Sequence, residues 1–79
     1  MDALNLTLRG VIQARARLAR RIGAVKRAQG LTLYDPEREG QMLHALMGEP
    51  EDGLAPERLS EILAEIIAAC RESAQLSDD

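Results

Sequence analysis

Apolar residues recur with helical spacing in three stretches of this chain, and helix-breaking residues separate the stretches. The first runs from near residue 2 to Gly30. The second opens at Asp35-Pro36 and ends near Met47-Gly48, and the third runs from Ala55-Pro56 to about Gln75. Because Gly and Pro commonly mark helix ends, the pattern predicts an all-α fold with three helices per chain, the first long, the second short and the third of medium length. We expect a single domain over residues 1–79, with residues 76–79 frayed.

The first stretch carries the most regular pattern in the sequence. Seven residues step alternately by four and three positions: Leu4, Leu8, Val11, Arg15, Leu18, Ile22 and Val25. This seam has the 3.5-residue period of coiled coils and long antiparallel bundles. At about 1.5 Å per residue the helix would be ~40 Å long. A chain of 79 residues has little else to cover it, so we expect a second copy to do so in a homodimer.

The other two helices have ordinary apolar stripes. The second is Met42, Leu43, Leu46 and Met47, and the third is Leu59, Ile62, Leu63, Ile66, Ile67, Cys70 and Ala74. His44 falls beside the second stripe and is expected on the surface. Cys70 has no activating base near it in sequence, so the pattern favours a small buried thiol.

Composition and charge exclude several classes of protein. One cysteine and one histidine cannot form a disulfide within the chain or a zinc site made of protein ligands alone. Tyr34 is the single aromatic residue, which argues against nucleic-acid stacking. A signal peptide and a membrane-length apolar run are both lacking, which favours a cytoplasmic protein. Residues 1–30 carry a net charge of +6 and residues 31–79 one of −9. The basic first third suggests an anionic partner or pairing with the acidic remainder.

Two cations of the first helix share one face. Arg15 lies in the middle of the apolar seam, where an unpaired guanidinium would be costly. It could pair with a glutamate on another helix, reach the surface along its apolar stem, or face a ligand carboxylate or phosphate. Lys26 follows eleven residues later, which is about three helical turns, so both side chains can point into one cavity.

The start of the second helix combines a cap with an inward-facing charge. Asp35 is a good N-cap, and Pro36 suits the first helical position. Glu39 lies three and four residues before the start of the apolar stripe, which places it on the inward face, with Arg38 at the edge. A cap does not require an inward carboxylate, so we expect Glu39 to face a ligand or to be ion-paired.

Together these residues resemble the all-helical chorismate mutases of the AroQ type. The matching positions are Arg15, Gly23 to Lys26, Asp35 to Glu39, and the segment from Ile66 to Arg71. The resemblance implies an intertwined dimer that converts chorismate, a small dicarboxylate, to prephenate in aromatic amino-acid biosynthesis. That rearrangement needs no cofactor. The YDPERE segment also resembles mutase domains fused to the first enzyme of the shikimate pathway, which implies association or fusion with such an enzyme.

The resemblance also assigns roles to individual residues. It implies that Arg15 binds a substrate carboxylate, that Lys26 reaches the ether oxygen and a carboxylate, and that Glu39 binds the ring hydroxyl. The remaining implied substrate-binding residues are Asp35, Arg38, Cys70 and Gln75. Cys70 stands where the family usually has Ser.

Two departures from the family pattern concern donors to the substrate. Ala74 stands where the family has a Gln that donates to the ether oxygen, and Gln75 follows one position later. An arginine that the family donates across the dimer has no match in this sequence. Because losing one such donor can cost about 10²–10³ in rate, the departures leave weak activity open as one outcome for a mutase.

Three alternatives remain open. An isochorismate-pyruvate lyase would use a similar substrate, and the residues named do not separate it from a mutase. A non-catalytic regulatory or dimerisation module would tolerate the missing donors. A small helical nucleic-acid binder would use the basic first helix, but the acidic remainder of the chain argues against it.

Overall fold

The fold is all-helical, as the sequence predicts. A computed structural model describes residues 1–76 and contains α1 (Asp2–Ala28), α2 (Pro36–Met47) and α3 (Pro56–Gln75). The helix boundaries agree with those predicted from the Gly and Pro residues. Leu76 caps the end of α3, and the rest of the expected frayed end lies outside the described residues.

Local signals set the helix ends. The Asp35 side chain accepts a hydrogen bond from the Arg38 N–H at 3.1 Å, and Pro36 occupies the first turn, where a missing N–H costs nothing. After α1 the chain turns through Gly30 with φ +71°, and the Leu31 N–H donates to the Lys26 carbonyl at 2.8 Å. That positive φ favours glycine, and the hydrogen bond satisfies a carbonyl at the end of the helix.

The middle position in the packing belongs to α3. It packs against α1 and against α2, whereas α1 and α2 do not pack on each other within residues 1–76. The molecule measures 42 × 30 × 15 Å, so it is much thinner than it is long. The three helices therefore form a thin layer in which α3 fixes the position of α2 relative to α1.

The buried core is small and lies on α3. Its members are Ile67, Cys70 and Ala74, each 2–4% exposed. The small buried thiol expected at Cys70 is confirmed. Ile62, expected to be buried, is 40% exposed, so part of the α3 stripe is left uncovered within the single chain. His44 is exposed, as expected.

The apolar seam of α1 lacks cover within the single chain. Its six apolar members are between 49% and 65% exposed: Leu4, Leu8, Val11, Leu18, Ile22 and Val25. A typical monomer exposes its surface apolar residues singly, whereas these six lie in one continuous row. Its covering by a second copy stays a prediction. In the part of the chain described, the helices are too short or too polar to cross a membrane.

Close packing between α1 and α3 depends on Gly23. A Cβ at this buried position would lie 3.1 Å from the Ala74 Cβ and 3.0 Å from Leu33 Cδ2. These separations are shorter than ordinary carbon–carbon contacts. The groups that approach Gly23 are therefore side chains, one from α3 and one from the α1–α2 connection.

Substituting Gly23 should separate the packing effect from helix propensity. Gly23→Ala gains about 1 kcal/mol in propensity but adds overpacking that costs about 1–3 kcal/mol. We expect a net loss of about 1 kcal/mol in the free energy of unfolding, measured by urea denaturation. Gly40→Ala is the control, because its new Cβ would meet nothing within 4 Å, and it should stabilise by up to about 1 kcal/mol. Equal stabilisation by both substitutions would contradict the close contact.

Candidate functional site

A cavity of about 360 Å³ lies among the three helices. Both apolar and charged residues line it: Arg15, Ala19, Ile22, Gly23, Lys26, Leu33, Asp35, Arg38, Glu39, Met42, Ile67, Arg71 and Ala74. Its size falls in the usual range for small-molecule sites, and predominantly apolar walls with a few charged groups are typical of such sites.

One wall of the cavity is formed by α1. Arg15 and Lys26 are eleven residues apart and line the same cavity, with Ile22 and Gly23 between them. Both cations are half-buried. The absence of a side chain at Gly23 lets α3 approach, which keeps the two cations close to groups on the other helices.

The first turn of α2 forms a second wall. Because the Asp35 carboxylate accepts the Arg38 N–H, the helix begins at this point, and Asp35, Arg38 and Glu39 all line the cavity. Asp35 and Arg38 remain exposed, whereas Glu39 is half-buried. The N-cap therefore fixes where the charged residues of this turn lie.

Arg71 on α3 is a cavity residue that the sequence analysis did not name as functional. Its Nε donates to Glu39 Oε2 at 2.6 Å, and the two side chains are only 20% and 19% exposed. The guanidinium carbon lies 4.4 Å from the centre of the Tyr34 ring, within cation–π range. Its position four residues after Ile67, on the inward stripe of α3, was the signal that could have identified it.

The other cavity cations have no carboxylate partner. Within residues 1–76, no Asp or Glu oxygen lies within 4 Å of a side-chain nitrogen of Arg15, Lys26 or Arg38. Cations that line a concave site attract and retain an anion. Arginine also offers a planar pair of donors that matches a carboxylate or phosphate.

Two residues implied by the resemblance do not line the cavity. Cys70 is buried in the core, and Gln75 is exposed on α3. Ala74 lines the cavity between them. Because each residue turns a helix by about 100°, a one-position displacement carries Gln75 away from the cavity wall.

The fold and the cavity together define a class of protein. It is a small all-helical protein with a cationic cavity suited to a compact organic anion. Among its described residues, no group of three or more His, Cys, Asp or Glu side chains could hold a metal ion.

A known protein family matches this chain. The family described as chorismate mutase type II matches residues 1–75, nearly the whole sequence, and the chain belongs to this family. Its all-helical fold agrees with that of the family. Among curated proteins none matches the chain.

Removing the N-cap should weaken the wall formed by α2. Asp35→Ala deletes the acceptor of the Arg38 N–H, and we expect a loss of about 0.5–2 kcal/mol in the free energy of unfolding by urea denaturation. Asp35→Asn keeps a capping oxygen and should retain most of the stability. An equal loss in both variants would show that the carboxylate charge, and not the cap hydrogen bond, is what matters.

Proposed function

We propose that this chain is a chorismate mutase that rearranges chorismate to prephenate in aromatic amino-acid biosynthesis. The observation that carries the proposal is the set of three cations without carboxylate partners, Arg15, Lys26 and Arg38, around one cavity. Chorismate has two carboxylates, and a site with unpaired cations on two helices can bind both. Membership of the chorismate mutase type II family supports the same reaction class.

The remaining lining suits the body of this substrate. Ile22, Leu33, Met42 and Ile67 supply apolar surface for the ring and the side chain that migrates over it. Fixed walls of this kind favour a compact conformer, in which the two carbons that join lie near each other. Holding reacting atoms in such a geometry can supply much of the rate of an intramolecular reaction.

Charge stabilisation completes the proposed mechanism. As the ether C–O bond breaks and the new C–C bond forms, negative charge develops on the ether oxygen. The Lys26 ammonium donates to this oxygen and to a carboxylate, and Arg15 holds a carboxylate through its planar fork. Arg38 holds the second carboxylate or orders the turn. Glu39, together with the backbone near Asp35, forms hydrogen bonds with the ring hydroxyl. The reaction uses no nucleophile and no proton transfer.

A second copy of the chain is part of the proposal. The exposed apolar seam of α1 runs from Leu4 to Val25, about 30 Å at roughly 1.5 Å per residue, and is self-complementary if two helices pair along it. Arg15 belongs to that seam and also lines the cavity. Pairing through the seam therefore places the dimer interface next to the proposed substrate site.

One observation favours a second candidate, a non-catalytic module that binds a pathway metabolite or a partner enzyme. Ala74 lines the cavity where the family has a Gln donor, and Gln75 is exposed. α3 then offers no amide to the ether oxygen, so Lys26 acts on it alone. Binding without rapid turnover is the behaviour expected of such a module.

Direct assay separates these candidates. The purified protein is mixed with chorismate, the loss of the substrate's ultraviolet absorbance is followed, and the product is identified. Prephenate supports the mutase. Pyruvate released from isochorismate indicates a lyase, and binding of chorismate without turnover indicates the non-catalytic module.

Removing either α1 cation should abolish the proposed activity. Arg15→Ala and Lys26→Ala are each expected to lower kcat/KM for chorismate by at least about 100-fold, because each deletes a donor to developing or permanent negative charge. Arg17→Ala is the matched control on the same helix, since Arg17 is exposed and does not line the cavity. Circular dichroism checks folding. Near-parental turnover in either cavity variant would contradict the site.

Charging the α1 seam should break the proposed dimer. Leu8→Glu places a carboxylate in the seam, where its burial against a second copy is costly. We expect a shift from dimer to monomer in sedimentation velocity. Leu6→Glu is the control, because Leu6 is also an exposed leucine, at 70% against 56% for Leu8, but lies on the opposite side of α1. A monomeric parent protein, or a Leu8→Glu dimer as tight as the parent, would contradict the proposed interface.

A further inference from the structure

The cavity contains a carboxylate that could compete with its own ligand. Glu39 lines the same cavity as Arg15, Lys26 and Arg38. A free carboxylate in this half-buried setting would be drawn to one of those cations and would neutralise it. An incoming dicarboxylate would then have to break an ion pair before it could bind. Yet the structure has none of these three cations paired with Glu39.

Arg71 accounts for this separation. Its Nε donates to Glu39 Oε2 at 2.6 Å, a short charge-assisted hydrogen bond between side chains about four-fifths buried. Arg71 belongs to α3, whereas Arg15 and Lys26 belong to α1. The pair therefore holds the carboxylate against α3. The second oxygen, Oε1, accepts no hydrogen bond from residues 1–76 and remains available to a ligand hydroxyl.

Tyr34 in turn holds Arg71. The guanidinium lies over the ring, with 4.4 Å between its carbon and the ring centre, and a planar guanidinium stacks well in this arrangement. Tyr34 directly precedes the N-cap Asp35, so the stack is anchored close to the start of α2. Glu39 follows within the first turn of the same helix. The three side chains thus connect the α1–α2 turn, α3 and α2.

We propose that Arg71 is a positioning residue that acts through Glu39. By holding the Glu39 carboxylate on the α3 side, it leaves Arg15, Lys26 and Arg38 unpaired for a dicarboxylate ligand, and Tyr34 fixes Arg71 in the orientation required. The identity of the physiological ligand rests on the proposed function. The effect on binding extends to any small dicarboxylate that enters the cavity.

A double-mutant cycle tests the proposal with malonate as the probe, its affinity measured by NMR titration of the full chain. Arg71→Gln should weaken malonate binding by about tenfold, because Glu39 is then free to pair with a cavity cation. In the Glu39→Gln background, the same Arg71 substitution should cost less than about threefold. Equal losses in the two backgrounds would overturn the proposal, since they would mean that Arg71 acts on the ligand directly. Failure of the parent protein to bind malonate would also overturn it.

Substitutions of Tyr34, which leave the charge of the protein unchanged, supply a second test. This test does not require the Arg71 variants to fold. Tyr34→Leu removes the ring under the guanidinium and should weaken malonate binding by about threefold. Tyr34→Phe keeps the ring and should bind malonate as the parent does. Indistinguishable affinities for Tyr34→Leu and Tyr34→Phe would overturn the part assigned to Tyr34.

Kinetics with chorismate separate this proposal from the proposed function. If chorismate is converted, Arg71→Gln and Tyr34→Leu should raise KM more than they change kcat, and the Tyr34→Phe control should leave both unchanged. The Arg71 and Glu39 substitutions could show non-additive effects on malonate affinity while the protein neither binds nor converts chorismate. That result would retain the positioning role and reject the proposed function. Turnover of chorismate combined with additive effects of the two substitutions on malonate affinity would support the proposed function and reject the positioning role.

Discussion

The close contact between α1 and α3 at Gly23 and Ala74 is the constraint on which the remaining geometry depends. In residues 1–76, α2 packs on α3 and not on α1. The distance between the cations of α1 and the charged turn of α2 is therefore set through α3. Had α1 carried a larger residue at position 23, α3 would be displaced, and both Arg71 and α2 would move with it.

The small size of the chain explains why so much apolar surface remains exposed. Among residues 1–76, three residues of α3 form the buried hydrophobic core, and the two shorter helices do not cover the full seam of the 27-residue helix. Domains of this size usually gain stability from another source, such as a metal, a disulfide or a second chain. The association along α1 proposed above would be such a source.

The cavity combines a costly electrostatic arrangement with a simple chemical task. Arg15, Lys26 and Arg38 line one cavity, and none of them forms a salt bridge with a carboxylate of residues 1–76, so the cavity offers cations to an incoming anion. In the reaction proposed above, such a preorganised field would stabilise developing charge without reorganising. The Glu39–Arg71 pair brings a carboxylate into the same cavity while its charge is already compensated.

The sequence by itself determined the features that depend on local physics. Helix boundaries follow from Asp35-Pro36, Pro56 and the glycines, since capping hydrogen bonds and φ restrictions act within a few residues. The shared face of Arg15 and Lys26 follows from helical periodicity alone. The exposure of His44 and the burial of Cys70 followed from the same stripes.

Tertiary structure decided the features that depend on how each helix is rotated and on what lies opposite it. The partner of Glu39 is Arg71, 32 positions away, and no local pattern selects that arginine over others. Ala74 lines the cavity while Gln75 does not, and Ile62 is exposed despite its place in the apolar stripe. The physical reason is that periodicity gives the angle between residues of one helix, whereas only interhelical packing fixes which angle faces the cavity.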